Sequence, residues 1–200
     1  MPTNDLAQIL DFLRAAEALK TVTRSAWTTT GQAESVAEHT WRLCLMAIVL
    51  HDHVPDLDIA RLIKICIVHD LGEAIGGDIP APEQARRALG KSADERRDLL
   101  RLVEALPEPQ RAEIVSLWDE YETAATPEAR FAKGLDKLET ILQHTQGVNP
   151  PDFDYRFNLD YGRRHTSGHT LLDALRTMLD EATEAMARAR DAALTMPDEA

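Results

Sequence analysis

The sequence is poor in several features that would define particular classes of protein. Only 5% of its 200 residues are aromatic, so aliphatic side chains must fill the core. It has two cysteines, Cys44 and Cys66, and both lie in apolar runs, where a free thiol behaves as a small buried hydrophobic group. This usage favours a reduced, cytoplasmic protein.

Long apolar runs and an excess of basic residues are also absent. No segment approaches the roughly 18 apolar residues that suggest a membrane span, and the N-terminus lacks the pattern of a signal peptide. The net charge of −12 argues against binding to nucleic acid polymers or to anionic membranes. A small anionic ligand is still allowed if a local cation or a metal overcomes the overall field.

The apolar pattern predicts a single all-α domain. The chain is 44% apolar and 28% charged, which is typical of a globular protein, and its apolar residues recur at helical spacing without alternating runs. A polar loop is expected over 21–32, and an irregular segment or a short helix over 152–166. Helices are expected over 6–19, 35–51, 59–69, 82–89, 93–106, 110–124, 127–144 and, at the C-terminus, about 168–190.

Four polar residues stand out within these mostly apolar helices. His39 lies near the start of one helix, the pair His69-Asp70 ends the next, and Asp136 lies in the middle of another. Burial of such groups without partners costs several kcal/mol. Because imidazole nitrogens and carboxylate oxygens both bind divalent cations, a shared metal would satisfy all four. Asp136 could instead form an ion pair within its own helix.

Three segments carry a resemblance to a known family. They read E-S-V-A-E-H-T-W at 34–41, H-D-L-G-E-A-I-G-G-D-I-P at 69–80 and L-D-K-L-E at 135–139. Together they resemble the HD-domain metal-dependent phosphohydrolases, and in particular the HD-domain 5′-deoxynucleotidases, over roughly residues 6–145. The resemblance implies an HD-domain helical bundle as one domain over 1–200, with a metal-binding core at about 31–145. The C-terminal helix would pack on that core or form a homodimer interface.

The resemblance also implies roles for individual residues. His39, His69, Asp70 and Asp136 would hold one divalent ion, and Glu73 and Asp78 would lie at the active site, where one of them orients or deprotonates the attacking water. For both acids, helix or turn capping is the structural alternative. The sequence does not distinguish Co, Mn, Zn, Ni, Fe or Mg. A single metal is favoured because no histidine lies between Asp70 and Asp136.

Substrate contacts are expected in the polar segment before the first metal histidine. The resemblance assigns phosphate binding to Arg24, for which a solvated surface charge is the alternative. The family often has tryptophan next to this arginine, whereas here Ser25 follows and Trp27 comes two positions later. Trp27 either replaces that base-stacking residue or packs on the core.

The function implied is removal of the 5′-phosphate from deoxyribonucleoside 5′-monophosphates by a cytoplasmic homodimer. Two alternatives stay open. One is another HD-type nucleotide hydrolase, either a triphosphohydrolase or a phosphodiesterase. The other is a non-catalytic regulatory module that binds a metal and a nucleotide.

Overall fold

The structure of the protein, a computed structural model, describes residues 3–80 and 91–195. Within these ranges the chain is mainly helical and has one two-stranded sheet, so the all-α prediction is confirmed. The helix expected over 82–89 lies outside the described residues. No helix in the described part is both long and apolar enough to cross a lipid bilayer.

The described elements include 3₁₀ turns at Glu17–Lys20 and His51–His53. In chain order they are α1 (Thr3–Ala16), β1 (Thr23–Trp27), β2 (Ala33–Ser35), α2 (Val36–Leu50), α3 (Ile59–Val68), α4 (Glu73–Gly76), α5 (Lys91–Leu102), α6 (Glu108–Thr123), α7 (Pro127–Gln146), α8 (Phe157–Asp160), α9 (Arg163–Thr166) and α10 (Thr170–Thr195).

Local side chains determine where the site-bearing helices begin. The amide of Glu38 donates to the Ser35 hydroxyl at 3.2 Å, and the Ser35 amide donates to the Glu38 carboxylate at 2.7 Å. This capping box starts α2 where the sequence predicted it. Asp58 accepts from two amides at the start of α3, and Thr126 caps α7 ahead of Pro127. The helices therefore start at fixed residues.

The loop predicted over 21–32 is wrong in part, because β1 and β2 form an antiparallel hairpin there. Thr23 pairs with Ser35 and Trp27 with Ala33, with an irregularity between the two pairs. The hairpin also docks on the end of α7, where the amide of Val148 donates to the carbonyl of Thr28 at 3.0 Å. Strands so short and polar give no alternating apolar signal, so the sequence pattern could not reveal them.

Helix α7 lies at the centre of the bundle. It packs against α2, α3, α6, α10 and β1, and its buried apolar residues include Phe131, Leu135, Leu138 and Ile141. The C-terminal helix α10 packs directly on α7, as one of the two sequence alternatives expected. The helix that carries Asp136 is therefore enclosed by helices from both halves of the chain.

Arg176 of α10 fixes the segment around α8 to the bundle. Its side chain is buried, and its guanidinium donates to the carbonyl oxygens of Asn158 at 2.7 Å, Leu159 at 2.6 Å and Tyr161 at 2.7 Å. Asp180 accepts a further bond at 2.7 Å and supplies the counter-charge. One buried cation thus binds three carbonyl oxygens of the short segment 158–161.

Replacing this arginine should destabilise the fold. In Arg176→Met, three carbonyls lose their donor and Asp180 loses its partner, so we expect the free energy of unfolding to fall by about 2–4 kcal/mol in urea denaturation. Arg188→Met is the matched control. Arg188 is exposed on the same helix and pairs only with Glu184, so a change within about 0.5 kcal/mol is expected. Equal losses in both variants would contradict the role given to Arg176.

Candidate metal centre and active site

The imidazole of His39 is fully buried between α2 and α7. Its Nδ1 forms a short hydrogen bond with a carboxylate oxygen of Glu139, and the other oxygen of Glu139 accepts from Nε of Arg42 at 2.6 Å. A carboxylate only accepts, so Nδ1 carries a proton and Nε2 is the nitrogen that faces away from Glu139. A carboxylate that orients histidine in this way is the usual arrangement behind a metal ligand.

His69 is held in the same tautomer by a different partner. It follows the last residue of α3, and its Nδ1 donates to the backbone carbonyl of Cys66 at 2.8 Å. Its Nε2 lies 3.0 Å from Asp70 Oδ2, and the two imidazole rings have centroids 5.5 Å apart. Both histidines thus direct Nε2 towards the same place.

The two aspartates converge on these nitrogens. Asp136 Oδ1 lies 3.4 Å from His39 Nε2, and Asp70 Oδ2 lies 4.0 Å from the same atom. Ligand atoms of His39, His69 and Asp70 all fall within 4.8 Å of one another. Asp136 is not a member of this group of three, but its Oδ1 contacts His39, so the four residues that the sequence singled out lie next to one another on three different segments of the chain.

The donor set is chemically suited to a divalent cation. The Nε2 atoms of His39 and His69 are buried, and neither has a hydrogen-bond partner among the described residues. Buried polar atoms are normally satisfied, so these two need a partner, and the adjoining carboxylates supply negative charge. Two imidazole nitrogens with two carboxylates match the ligands of zinc, manganese, cobalt, nickel or iron sites.

Electrostatics keep the carboxylates ionised despite their burial. Burial would raise the pKa of Asp136, but Lys137 and the two histidines hold it well below its usual range. His69 and His39 likewise lower the pKa of Asp70 against the effect of burial. Burial and Arg24 act to lower the pKa of His39, but Glu139 and Asp136 outweigh them and raise it to about 9. Binding of a metal at Nε2 would therefore release a proton.

Glu73 and Asp78 follow the His69-Asp70 pair closely. Glu73 is buried and begins α4, and its amide donates to the carbonyl of Asp70 at 3.0 Å. Gly72 permits this turn, since a Cβ there would lie 2.5 Å from the carbonyl oxygen of Glu95 in α5. Asp78 is half-buried, and its charge contributes to a raised pKa of Arg24. Both acids thus lie on the segment that leads away from the metal ligands.

Arg24 lies beside the ligand cluster and is not a solvated charge. Its Nη1 is 3.6 Å from Asp70 Oδ2, its Nη2 donates to the Thr140 hydroxyl at 2.9 Å, and its Nε is 3.4 Å from Glu34 Oε2. Burial lowers the pKa of Arg24, but the surrounding carboxylates raise it by more than burial lowers it. The guanidinium therefore stays charged. A charged guanidinium therefore lies next to the cluster of possible metal ligands.

Trp27 lies at the end of β1, half-buried, and its ring meets Phe153 edge-on with centroids 6.2 Å apart. Its carbonyl accepts a hydrogen bond from Gln143 of α7. Both contacts fit the packing alternative, and a contact with the base stays a prediction.

Sequence reasoning missed three charged residues that surround His39. Glu139 stands three residues after Asp136, so helical spacing alone places both on one face of α7 and could have identified it. Glu34 and Arg42 flank His39 in sequence, and Arg42 Nη2 lies 3.8 Å from Glu34 Oε1.

Burial and the nearby Glu139 raise the pKa of Glu34 to about 7. Glu34, His39 and Glu139 form a second group with possible ligand atoms within 4.8 Å, but arginines already face both carboxylates.

Asp136 has two possible ion-pair partners within its own helix, Lys133 and Lys137, and it pairs with Lys137. Lys137 Nζ lies 2.8 Å from Asp136 Oδ2, which also accepts from the Tyr121 hydroxyl at 2.6 Å. Lys133 instead donates to the carbonyls of Tyr121 and Glu122. Because Oδ1 faces His39, the ion pair and metal binding use different oxygens of one carboxylate.

Comparison with known proteins identifies the family. A family model described as HD domain matches residues 16–176. The chain is 38% identical to human 5′-deoxynucleotidase HDDC2 over 140 residues, covering 69% of this chain and 67% of that protein. It is 34% identical to 5′-deoxynucleotidase hdd1 of Schizosaccharomyces pombe, with 68% and 70% of the two chains covered.

A solved structure supports the same grouping. A predicted metal-dependent phosphohydrolase from Magnetospirillum magnetotacticum superposes with a TM-score of 0.79 at 31% identity, and the match covers 92% of this chain and 95% of that one. With the fold, the arrangement of ligand residues and these matches in agreement, the chain belongs to the HD domain family.

Proposed function

We propose that the protein is a divalent-metal-dependent 5′-deoxynucleotidase, which hydrolyses deoxyribonucleoside 5′-monophosphates to deoxynucleosides and inorganic phosphate. The observation that carries the proposal is the cluster of possible ligand atoms of His39, His69 and Asp70, with Asp136 beside His39 and Arg24 beside Asp70. Relatives that bear the name 5′-deoxynucleotidase, and that align with about 70% of the chain, support the choice of substrate class.

In this proposal His39, His69, Asp70 and Asp136 hold one metal ion. When bound, a divalent cation would polarise the phosphate and lower the pKa of a coordinated water. Glu139 and the carbonyl of Cys66 keep the histidine lone pairs directed at the ion. Two alternatives that the sequence left open, a triphosphohydrolase and a non-catalytic module, are separated from this function by the assays below.

Arg24 would bind the phosphate, and one of two acids would accept the proton of the attacking water. Arg24 binds a phosphate oxygen and orients the phosphorus for attack. Glu73 or Asp78 accepts a proton from the attacking water as its oxygen bonds to phosphorus. The bond from phosphorus to the 5′-oxygen then breaks, and the acid returns the proton it took from water to that oxygen as the deoxynucleoside leaves. A single domain over 1–200, a homodimer, a cytoplasmic location and a base contact by Trp27 stay predictions of the sequence analysis.

A substrate and metal screen tests the reaction itself. The purified protein should release phosphate from deoxyribonucleoside monophosphates with Mn²⁺, Co²⁺ or another divalent ion, and removal of the metal with EDTA should abolish release. Release of triphosphate from dNTPs, or linear dinucleotide products, would point to another HD-type hydrolase. Nucleotide binding without turnover under any metal would point to a regulatory module.

Neutral variants of the two acids should identify the residue that activates water. We expect Glu73→Gln or Asp78→Asn to lower kcat about 10²–10⁴-fold, since proton transfer by a positioned acid supplies about this much. Metal content, measured by elemental analysis, should stay at the wild-type level. Glu104→Gln, at an exposed position, is the control and should keep full activity. Wild-type kcat in both acid variants would contradict a catalytic role for either.

The support that Glu139 gives to His39 can be measured through metal binding. We expect Glu139→Gln to weaken metal affinity about 10–100-fold, because the amide no longer fixes the proton on Nδ1 and a charge next to the imidazole is lost. Calorimetric titration of metal into the metal-free protein gives the constant. Glu181→Gln, exposed on α10, is the matched control and should bind metal normally. An unchanged affinity in Glu139→Gln would show that Glu139 serves only the fold.

A further inference from the structure

Lys137 is a cation at the edge of the ligand cluster to which the reaction outlined above gives no role. It follows Asp136 on α7, and its Nζ lies 2.8 Å from Asp136 Oδ2. Its side chain is 22% exposed, whereas that of Asp136 is 6% exposed. Lys137 is therefore more exposed than the carboxylate with which it pairs.

The segment between α8 and α9 holds the lysine side chain in place. The aromatic ring of Tyr161 has its centroid 5.3 Å from Nζ. Gly162 packs on the aliphatic stem so closely that a Cβ there would lie 2.6 Å from Cβ and Cγ of Lys137, and its φ of +68° also favours glycine. Arg176 in turn fixes the carbonyl of Tyr161. A lysine held in this way loses less side-chain entropy on binding a ligand than a free surface lysine does.

The positions of the two cations complement each other. Arg24 lies beside Asp70, with 3.6 Å between Nη1 and Oδ2, and Lys137 lies beside Asp136. Both aspartates face His39 Nε2, at 4.0 Å and 3.4 Å. The cations thus flank the same cluster from two separate segments of the chain.

The donors of Lys137 and the charge of the protein point to an anionic ligand. An ammonium group has three donors. Asp136 and Tyr161 are partners for two of them, and the side chain still meets solvent, so one donor is left for a ligand. The whole chain carries a net charge of −12, which opposes the approach of a dianion, so local cations must provide the attraction. Arg42, the other arginine of the site, already faces Glu139 and Glu34.

We propose that Lys137 is a second phosphate-binding residue, and that its ammonium donates to an oxygen of the substrate phosphate on the Asp136 side while Arg24 binds on the Asp70 side. The inference rests on the proposed function, since it names a group that binds the same substrate. The competing explanation is that Lys137 only neutralises Asp136. In that case its removal would change metal binding and leave phosphate binding alone.

The test measures inorganic phosphate binding, which does not depend on turnover. Calorimetric titration of phosphate into the protein at saturating Mn²⁺ compares the wild type with Lys137→Met and Lys137→Arg. We expect the dissociation constant of phosphate to rise about 10–100-fold in Lys137→Met, as the loss of one charge-assisted hydrogen bond implies, and to be largely restored in Lys137→Arg. Lys64→Met is the matched control, because Lys64 also pairs with a carboxylate, Glu113, and is 58% exposed on α3.

The outcomes separate the inference from the function. A wild-type phosphate constant in Lys137→Met at full metal occupancy overturns the role of Lys137, as does a wild-type protein that binds no phosphate. If Lys137→Met does not fold, Lys137→Gln is measured in the same way and judged by the same criterion. If the wild type binds phosphate but hydrolyses no deoxyribonucleoside monophosphate, the proposed function fails, and the phosphate constants still decide the role of Lys137.

Discussion

The hydrogen bond between His39 and Glu139 joins α2 to α7 at the centre of the molecule, and the other polar contacts of the site are arranged around it. Neither side chain is exposed, so each is the partner that makes burial of the other tolerable. The bond also settles which nitrogen of His39 carries the proton. It therefore links the stability of the core to the orientation of Nε2, the other ring nitrogen of His39.

Around this pair, the bundle places cations against several of its buried or half-buried carboxylates. Arg42 faces Glu139, Arg24 faces Glu34 and Asp70, and Lys137 faces Asp136. These cations come from β1, α2 and α7, so the balance of charge depends on the mutual docking of several elements. A chain with a strong negative charge can in this way present a local surface suited to a phosphate.

The sequence predicted the parts of the structure that depend on neighbouring residues. The capping box at Ser35 and Glu38 and the proline at the start of α7 are signals of this kind, and the helices begin where they indicate. The convergence of His39, the His69-Asp70 pair and Asp136 was expected from apolar helices carrying isolated polar residues, together with a family resemblance.

The hairpin could not be predicted, because its strands are held by docking on α7 and carry almost no apolar pattern. Glu139 was accessible from its spacing to Asp136, but its importance lies in a partner 100 residues away.

Those long separations also bear on the order in which the protein can mature during its synthesis. His39 and Glu139 are 100 residues apart, and Arg24 and Thr140 are 116 residues apart. Until α7 has left the ribosome, His39 has no carboxylate to accept from its Nδ1, and Asp136 is absent from the site. The complete set of proposed metal ligands therefore comes together only when α7 docks on the earlier helices.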